Sequence, residues 1–381
     1  MFAGKRGMST ELHLSSGSKT QSERYYNLLL SRSISTTLTQ ASRIIGYDPA
    51  LLLASTRFLS YQKKAASRRQ GCEEKGVQVP PVIMLSLTHH CNLTCHGCYM
   101  QALHQEVVPE EMTLDQLRAL VSQAVDLGVS FLVLAGGEPM IRIDDILTLA
   151  REFPDMIMAI YTNGTLISKE IAASVGRLKN LVPIISIEGD QKETDARRSE
   201  GVYAAAELAF SHLKERKAFF GCSVTVTRSN YTDVTGDRFI SEMIRQGCRL
   251  ITYVEYVPIR PGTESQTLTE QQHQDLNHLL NRCMEKYPAL FLSFPGDEGL
   301  FGGCLSAGRG FVHISPSGDL EPCPAAPMSD VNVTQLPLKV ALQSEFLTHI
   351  RSHHGMLKES GGGCALWKNR DWAESMLVQK E

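Results

Sequence analysis

From Val82 onward the chain repeats one unit six times: a short apolar run of strand character, a loop with glycine or polar residues, then an amphipathic stretch at helical spacing. The apolar runs fall at 82–88, 130–135, 156–161, 181–187, 220–227 and 250–257. The helical stretches fall near 113–127, 142–152, 168–178, 202–216, 235–246 and 268–286. The first helix is the best marked. Thr113 can cap it, Leu114, Leu117, Val121, Ala124 and Val125 make one stripe, and Gly128 ends it. Strands alternating with helices imply parallel strands joined by right-handed crossovers. Six such units predict an α/β fold, a partial (βα)6 TIM-like barrel, with functional groups at the carboxyl ends of its strands.

The loop after the first strand carries the chemistry. It reads Ser86-Leu-Thr-His-His-Cys-Asn-Leu-Thr-Cys-His-Gly-Cys-Tyr99, and Cys91, Cys95 and Cys98 can face one inorganic centre. Thiolate is the ligand of iron–sulfur clusters, and a cubane has four irons needing four ligands. Three local cysteines leave one iron open, as a catalytic cluster requires. On the triplet alone, a zinc knuckle or a structural cluster competes with this reading.

In its Cys-Asn-Leu-x-Cys-x-x-Cys-Tyr setting, the spacing Cys-x3-Cys-x2-Cys resembles that of the radical S-adenosylmethionine (SAM) enzymes. The resemblance implies a [4Fe-4S] cluster whose open iron chelates the amino and carboxylate groups of SAM. It also implies that an electron from the cluster cleaves a C–S bond, and that the 5′-deoxyadenosyl radical so formed abstracts hydrogen from a substrate. Later strand ends extend the likeness. Gly136, Gly137, Glu138 and Pro139 match the family's GGEP motif, which binds the SAM amino group. Its glycines let backbone approach a ligand, and Glu138 offers a carboxylate. Asn163 stands in a turn resembling the family's Thr-Asn-Gly, where it holds the loop and is a candidate SAM contact.

Ser186 and Glu188 fall at positions that contact the SAM ribose or methionine in the family, with Glu188 in place of the usual Asp. Arg198 aligns with the partner of the SAM carboxylate, which a guanidinium fork suits, and Arg197 is the alternative. Val257 aligns with an apolar residue that packs on the adenine. Asn230, Glu255 and Tyr256 are expected around the mouth of the barrel. Gly97 stands where the family often has an aromatic residue, with Tyr99 just after. No residue is assigned to the radical step itself.

A second cysteine set lies near the C-terminus. Phe311 to Ile314 alternate, Pro316-Ser-Gly-Asp makes a tight turn and Leu320 starts a return, so a β-hairpin brings Cys304 and Cys323 together. A helix near 337–352 follows, then Gly361-Gly-Gly-Cys364, which can deliver a third thiolate. The spacing Cys-x13-Gly-x4-Cys resembles the signature of SPASM and Twitch auxiliary-cluster domains. The further Cys-x2-Cys-x5-Cys-x3-Cys run of SPASM domains is absent. The resemblance therefore implies one auxiliary cluster of Twitch type on Cys304, Cys323 and Cys364. A zinc site or a Cys304–Cys323 disulfide is the alternative. Cys72, Cys222, Cys248 and Cys283 read as small apolar fillers, and His89, His90, His353 and His354 as structural.

Ahead of the barrel, residues 1–20 read as a disordered start. A helical arm follows from about 22 to 66, broken at Asp48-Pro49, with apolar faces from Leu28 to Leu30, Leu51 to Leu53, Phe58 and Leu59. Counted from the first residue to Gln70, start and arm together carry eleven Lys or Arg against three Asp or Glu. Such an arm either docks on the barrel as a cover or makes weak contact with an anionic membrane surface. The division expected is 1–79 for the arm, 80–290 for the barrel and 291–381 for a small Fe–S auxiliary domain and tail. Net charge of −3 leaves no footprint for nucleic acid. No secretory signal or membrane span is visible, so ten cysteines argue for metal and redox use in the cytoplasm. The expected function is that of a radical SAM oxidoreductase or transferase reduced by a ferredoxin or flavodoxin. A peptide or protein is the first substrate class, a small molecule or lipid the second. A non-catalytic iron–sulfur carrier is the hypothesis from another class.

Overall fold

The structure, a computed structural model, describes residues 49–102, 109–295, 303–358 and 364–378, together with positions 40 and 44. The expected disordered start, the apolar residues Leu28 to Leu30 and the glycines before Cys364 lie outside the described residues. The chain opens with α1 (Pro49–Glu73), β1 (Val82–Ser86), the short α2 (Tyr99–Ala102) and α3 (Leu114–Leu127). It continues through β2 (Phe131–Ala135), α4 (Ile143–Glu152), β3 (Ile157–Thr162), α5 (Lys169–Leu178) and β4 (Leu181–Ser186). Then come α6 (Gln191–Arg198), α7 (Val202–Glu215), β5 (Gly221–Val226), α8 (Tyr231–Thr235), α9 (Asp237–Gln246) and β6 (Leu250–Glu255). The last part holds α10 (Glu270–Lys286), β7 (Leu290–Phe294), β8 (Phe311–Ile314) and β9 (Leu320–Glu321). Four short helices close it: α11 (Leu338–Ala341), α12 (Glu345–Ser352), α13 (Ala365–Lys368) and α14 (Arg370–Val378).

All six expected strands and all six expected helices are present. The α3 caps follow the sequence reading. Thr113 accepts from the Gln116 backbone N–H, and Gly128 ends the helix at φ 94°. The strands form one curled sheet in the order β7-β6-β5-β4-β3-β2-β1-β8-β9. It is parallel from β7 to β8, and only β9 runs antiparallel.

Two features were not foreseen. Leu290–Phe294 adds a seventh parallel strand beside β6. The first strand of the expected hairpin also pairs in parallel with β1, so the sheet runs on into the C-terminal segment.

Side chains alternate between the two faces of each strand. Ile83, Leu85, Leu132, Leu134, Ile160, Ile185 and Val224 face outward, into one core with helix residues such as Leu117, Val121, Ile146 and Phe210. A second group faces inward. Ile184, Leu250 and Leu290 are buried there with Ala159, Tyr161, Val182, Phe219 and Leu292, and Ile44 packs onto them. Leu250 and Leu290 begin their strands, so this apolar layer floors the barrel at its entry end.

Helix α1 docks at the same end. Of its three consecutive leucines only Leu51 is buried. Tyr61 donates to Val129 O (2.7 Å), and Arg68 to Val125 O (2.7 Å). Arg69, buried, bonds Gly128 O and Ser130 Oγ. Arg57 pairs with Asp155 (2.8 Å). A Cβ on Gly128 would lie 2.4 Å from Ala65 O, which is how closely the arm approaches. Between 49 and 73, then, the arm is a cover, with four polar side chains committed to the barrel. None of the described helices is long and apolar enough to cross a membrane.

Burial pulls the Arg69 guanidinium down to about 10, so it stays charged at neutral pH. Arg69→Ala would strand a buried carbonyl and hydroxyl and should cost about 1–3 kcal/mol. The readout is the thermal unfolding midpoint; an unchanged midpoint would mean that docking of the arm contributes nothing to stability.

Candidate functional site at the mouth of the barrel

The exit of β1 and the exit of β2 are zipped together by backbone. Leu87 N–H donates to Ala135 O (3.0 Å), Gly137 N–H to Thr88 O (2.8 Å) and Glu138 N–H to His90 O (2.8 Å). A Cβ on Gly137 would lie 2.0 Å from His90 O. The glycine pair therefore makes room for the chain's own cysteine loop, whereas the sequence reading had it making room for a ligand. The other side of the zip is tied by Glu111, which accepts from Thr88 Oγ1 and His89 N–H at 2.7 Å each.

Glu138 is buried. One of its oxygens accepts from Met140 N–H (3.0 Å) and Thr162 Oγ1 (2.7 Å), the other from Asn163 N–H (2.8 Å). Burial pushes its pKa up, and those donors oppose the rise. Asn163 is a latch: its amide donates to Asn92 Oδ1 (2.8 Å), while its own oxygen accepts from Thr165 Oγ1 (2.6 Å). Asn92 lies between Cys91 and Cys95, so the β3 exit grips the cysteine loop directly. Pro139 starts a single 3-10 turn that Glu138 caps.

The C-terminus of α6 holds the loop from the opposite side. His96 N–H donates to Arg197 O (2.7 Å), and Arg197 Nε returns a bond to His96 O (3.1 Å). Arg198 places Nε (2.9 Å) and Nη2 (2.5 Å) on one oxygen of Glu188. Arg197 Nη1 approaches the same oxygen at 2.8 Å as an ion pair, but is misdirected for a hydrogen bond. The second oxygen of Glu188 is buried and has no hydrogen-bond partner among the described residues. Two guanidinium groups thus face one carboxylate, leaving one positive charge over.

The three thiols of the loop sit in this frame. Burial pushes the Cys91 thiol up, and the Leu93 N–H pulls it down. Burial also raises Cys95, against the pull of Arg198 and Arg197. Gly97 (φ 71°) passes the ring of Tyr256, where a Cβ would lie at 3.3 Å. Tyr256 thus faces the loop, as expected. Asn230 spends its amide on Thr225 O (3.0 Å) and Glu188 O (3.3 Å). Glu255 does not point into the mouth; it turns outward and meets His273 of α10 at 2.6 Å. Ser186 and Val257 are half-buried at the exits of β4 and β6.

The second cysteine set also comes together. The neighbouring Cys364 thiol, more than burial, pushes the Cys323 thiol well up, with a smaller contribution from Cys304. Cys364 caps α13, where its sulfur accepts from Trp367 N–H (3.5 Å). Trp367 Nε1 donates to Pro258 O (3.2 Å), which anchors this segment on the β6 exit. No disulfide joins Cys304 to Cys323. Cys222, Cys248 and Cys283 are buried in the outer core, as fillers should be.

Among the described residues, no three Cys, His, Asp or Glu side chains stand close enough to hold a single metal ion. A cubane asks for something different, since each cysteine binds its own iron. Both sets consist of thiols alone, which is the donor chemistry such clusters take. Tyr99, which sequence reading left without a role, has its phenol pushed well up by burial and then by the charges of Cys98, Cys323 and Glu321.

Gly137→Ala should displace the cysteine loop. After anaerobic treatment with iron and sulfide, the variant should retain well under half the wild-type iron. Wild-type iron content would show that the contact at His90 does not position the loop.

A family model described as the Radical SAM superfamily matches residues 85–242. The chain is 26% identical over 293 residues to the AdoMet-dependent heme synthase of Methanosarcina barkeri, covering 68% of this chain and 81% of that one. It is 27% identical over 270 residues to the mycofactocin maturase MftC of Mycolicibacterium smegmatis, covering 66% of each. Among solved structures, Streptococcus suis SuiB bound to its precursor peptide SuiA has a TM-score of 0.62 at 19% identity, covering 80% of this chain and 76% of that chain. The anSMEcpe structure with bound AdoMet has a TM-score of 0.57 at 15% identity, covering 79% and 95%. Identities this low carry the fold and nothing finer.

Proposed function

We propose, from the family match over residues 85–242 and the likeness to the heme synthase and to MftC, that the chain is a radical SAM enzyme whose Cys91, Cys95 and Cys98 hold the [4Fe-4S] cluster that splits SAM. The observation that carries the assignment is the frame around the loop. Backbone from β2, the Asn163 latch and the end of α6 grip it from three sides, and it carries three thiols at cluster spacing. A cluster held by these three thiolates would supply the one-electron reducing chemistry that radical cleavage of SAM needs. A ferredoxin or flavodoxin is the reductant we propose, in the reducing cytoplasm.

The chain's own residues orient the cofactor. The surplus positive charge of Arg197 and Arg198 beside Glu188 suits the SAM carboxylate. Glu138 has acceptor capacity beyond its three donors for the amino group, and Pro139 with Gly136 and Gly137 fixes where that carboxylate sits. Ser186 offers a hydroxyl to the ribose, Asn163 a neighbouring amide, and Val257 an apolar surface to the adenine. Cys304, Cys323 and Cys364 hold a single auxiliary cluster in our reading.

For the substrate we favour a peptide or protein. The fold shared with peptide-bound SuiB and the sequence likeness to the mycofactocin maturase support that reading. A small molecule of tetrapyrrole type is the second reading, supported by the heme synthases, whose length the chain largely spans. Absence of any Soret shift on adding iron coproporphyrin, and of any stimulation of SAM cleavage by it, would sink the second reading.

Two tests address the site. Anaerobic reconstitution followed by dithionite and SAM should yield 5′-deoxyadenosine from wild type and from Cys304→Ala, and none from Cys95→Ala. A reconstituted protein that binds iron but neither binds nor cleaves SAM would refute the assignment. Arg198→Ala should weaken SAM binding by about ten- to a hundredfold in equilibrium dialysis, the worth of a charged hydrogen bond. An unchanged Kd would remove Arg198 from the carboxylate site.

A further inference from the structure

Ser86, His313 and Glu321 form a hydrogen-bonded chain on the inner face of the sheet. His313 Nε2 lies 2.8 Å from Ser86 Oγ, and Nδ1 lies 2.6 Å from Glu321 Oε2. An ionised carboxylate only accepts, so Nδ1 donates to Glu321, and Nε2 shares the remaining bond with the Ser86 hydroxyl. The order serine, histidine, carboxylate is that of a hydrolytic triad. Ser86 is 0% exposed, however, His313 4% and Glu321 6%, so no substrate reaches the hydroxyl. The chain has some other use.

Its two ends show what it connects. Ser86 is the last residue of β1, and the loop with Cys91, Cys95 and Cys98 leaves from it. Glu321 is the last residue of β9, two positions before Cys323. Strand β9 is only two residues long and pairs with β8 through His313–Glu321 and Ile314–Leu320 alone. Other bonds hold the segment locally: Leu320 N–H donates to Val331 O (3.1 Å), Ala307 N–H to Pro322 O (3.0 Å) and Ser329 Oγ to Leu320 O (2.8 Å). The imidazole adds a side-chain tie that joins the end of β1 to the end of β9. Tyr99, the residue after Cys98, feels the charge of Cys98, Cys323 and Glu321 together. The His313 bridge itself joins the strand that leads to the first thiol set with the strand that leads to Cys323.

We propose that His313 is a positioning residue that couples the two cysteine sets. It fixes Cys323 relative to the first loop, so that iron loaded at one set favours loading at the other. The proposal rests on the iron–sulfur reading of both sets. Cluster ligands must be held to within a fraction of an ångström, and coupling between two binding sites is reciprocal. Without the imidazole, a buried hydroxyl and a buried carboxylate lose their partner, and the side-chain link between the β1 end and the β9 end is gone.

The test reconstitutes wild type, His313→Ala, His313→Gln and Leu320→Ala anaerobically with iron and sulfide. Iron and sulfide are counted, visible absorbance and low-temperature EPR after dithionite are recorded, and the thermal midpoint is taken before reconstitution. Cys304→Ala identifies the signal of the second set. In His313→Ala, iron should fall about twofold with loss of that signal, and His313→Gln should restore part of it. Leu320→Ala removes a buried side chain beside the tie and should lower the midpoint at least as much without selective loss. In a chelator challenge, Cys95→Ala should speed iron loss from the second set severalfold when His313 is present and by less in His313→Gln, which retains part of that iron. Wild-type iron at both sets in His313→Ala, or the same selective loss in Leu320→Ala, overturns the proposal. Wild type that takes up no iron at either set overturns the iron–sulfur reading, and the coupling with it.

Discussion

The mouth of this barrel depends on a close approach of two backbones. The residues leaving β1 and those leaving β2 can pair only because position 137 carries no side chain. That pairing puts the Glu138 carboxylate under the chain, where it collects the β3 exit through Thr162 and Asn163. Asn163 then reaches forward to Asn92, between the first two cysteines. Each tie presupposes the one before it. A loop of polar and small residues, with no regular structure of its own, is thereby given one conformation by three strand ends and one helix end.

The barrel was legible in the sequence because its signal is periodic and repeated. Six apolar runs and six amphipathic stretches reinforce one another, and parallel strands buried on both faces have little freedom in where they start and stop. What escaped was the pairing of the last strands. Leu290–Phe294 is an apolar run that looks the same whether it joins the barrel or opens the next segment. Phe311–Ile314 reads as half of a hairpin, and it is one, yet nothing local says that its free edge lies against β1. Edges are chosen by tertiary geometry, which a local pattern does not encode.

At the site, residue types were readable and their partners were not. The cysteines, the glycine pair and the arginines all lie where the motifs put them. The glycines proved to admit the protein's own backbone, and Arg198 proved to rest on Glu188, the residue that is one methylene longer than the usual aspartate. Glu255, one residue from the rim, faces the helix layer because of strand parity. Its neighbour Tyr256 faces the loop for the same reason. The Ser86–His313–Glu321 chain had no sequence signal at all, since its members are 227 and 8 positions apart and belong to no motif.

The late arrival of β8 has a consequence for how the molecule is made. Its partner β1 is the first of the described strands to be synthesised, and the two meet across most of the chain's length. At about 5–20 residues per second of translation, the open edge of β1 waits on the order of ten seconds or more for its neighbour. Throughout that interval the nascent sheet presents an unpaired row of N–H and C=O groups at the strand that leads into the cysteine loop. Such an edge can recruit a strand from another chain. Until the C-terminal segment has emerged to close the sheet, the nascent chain thus carries an exposure that the folded molecule does not.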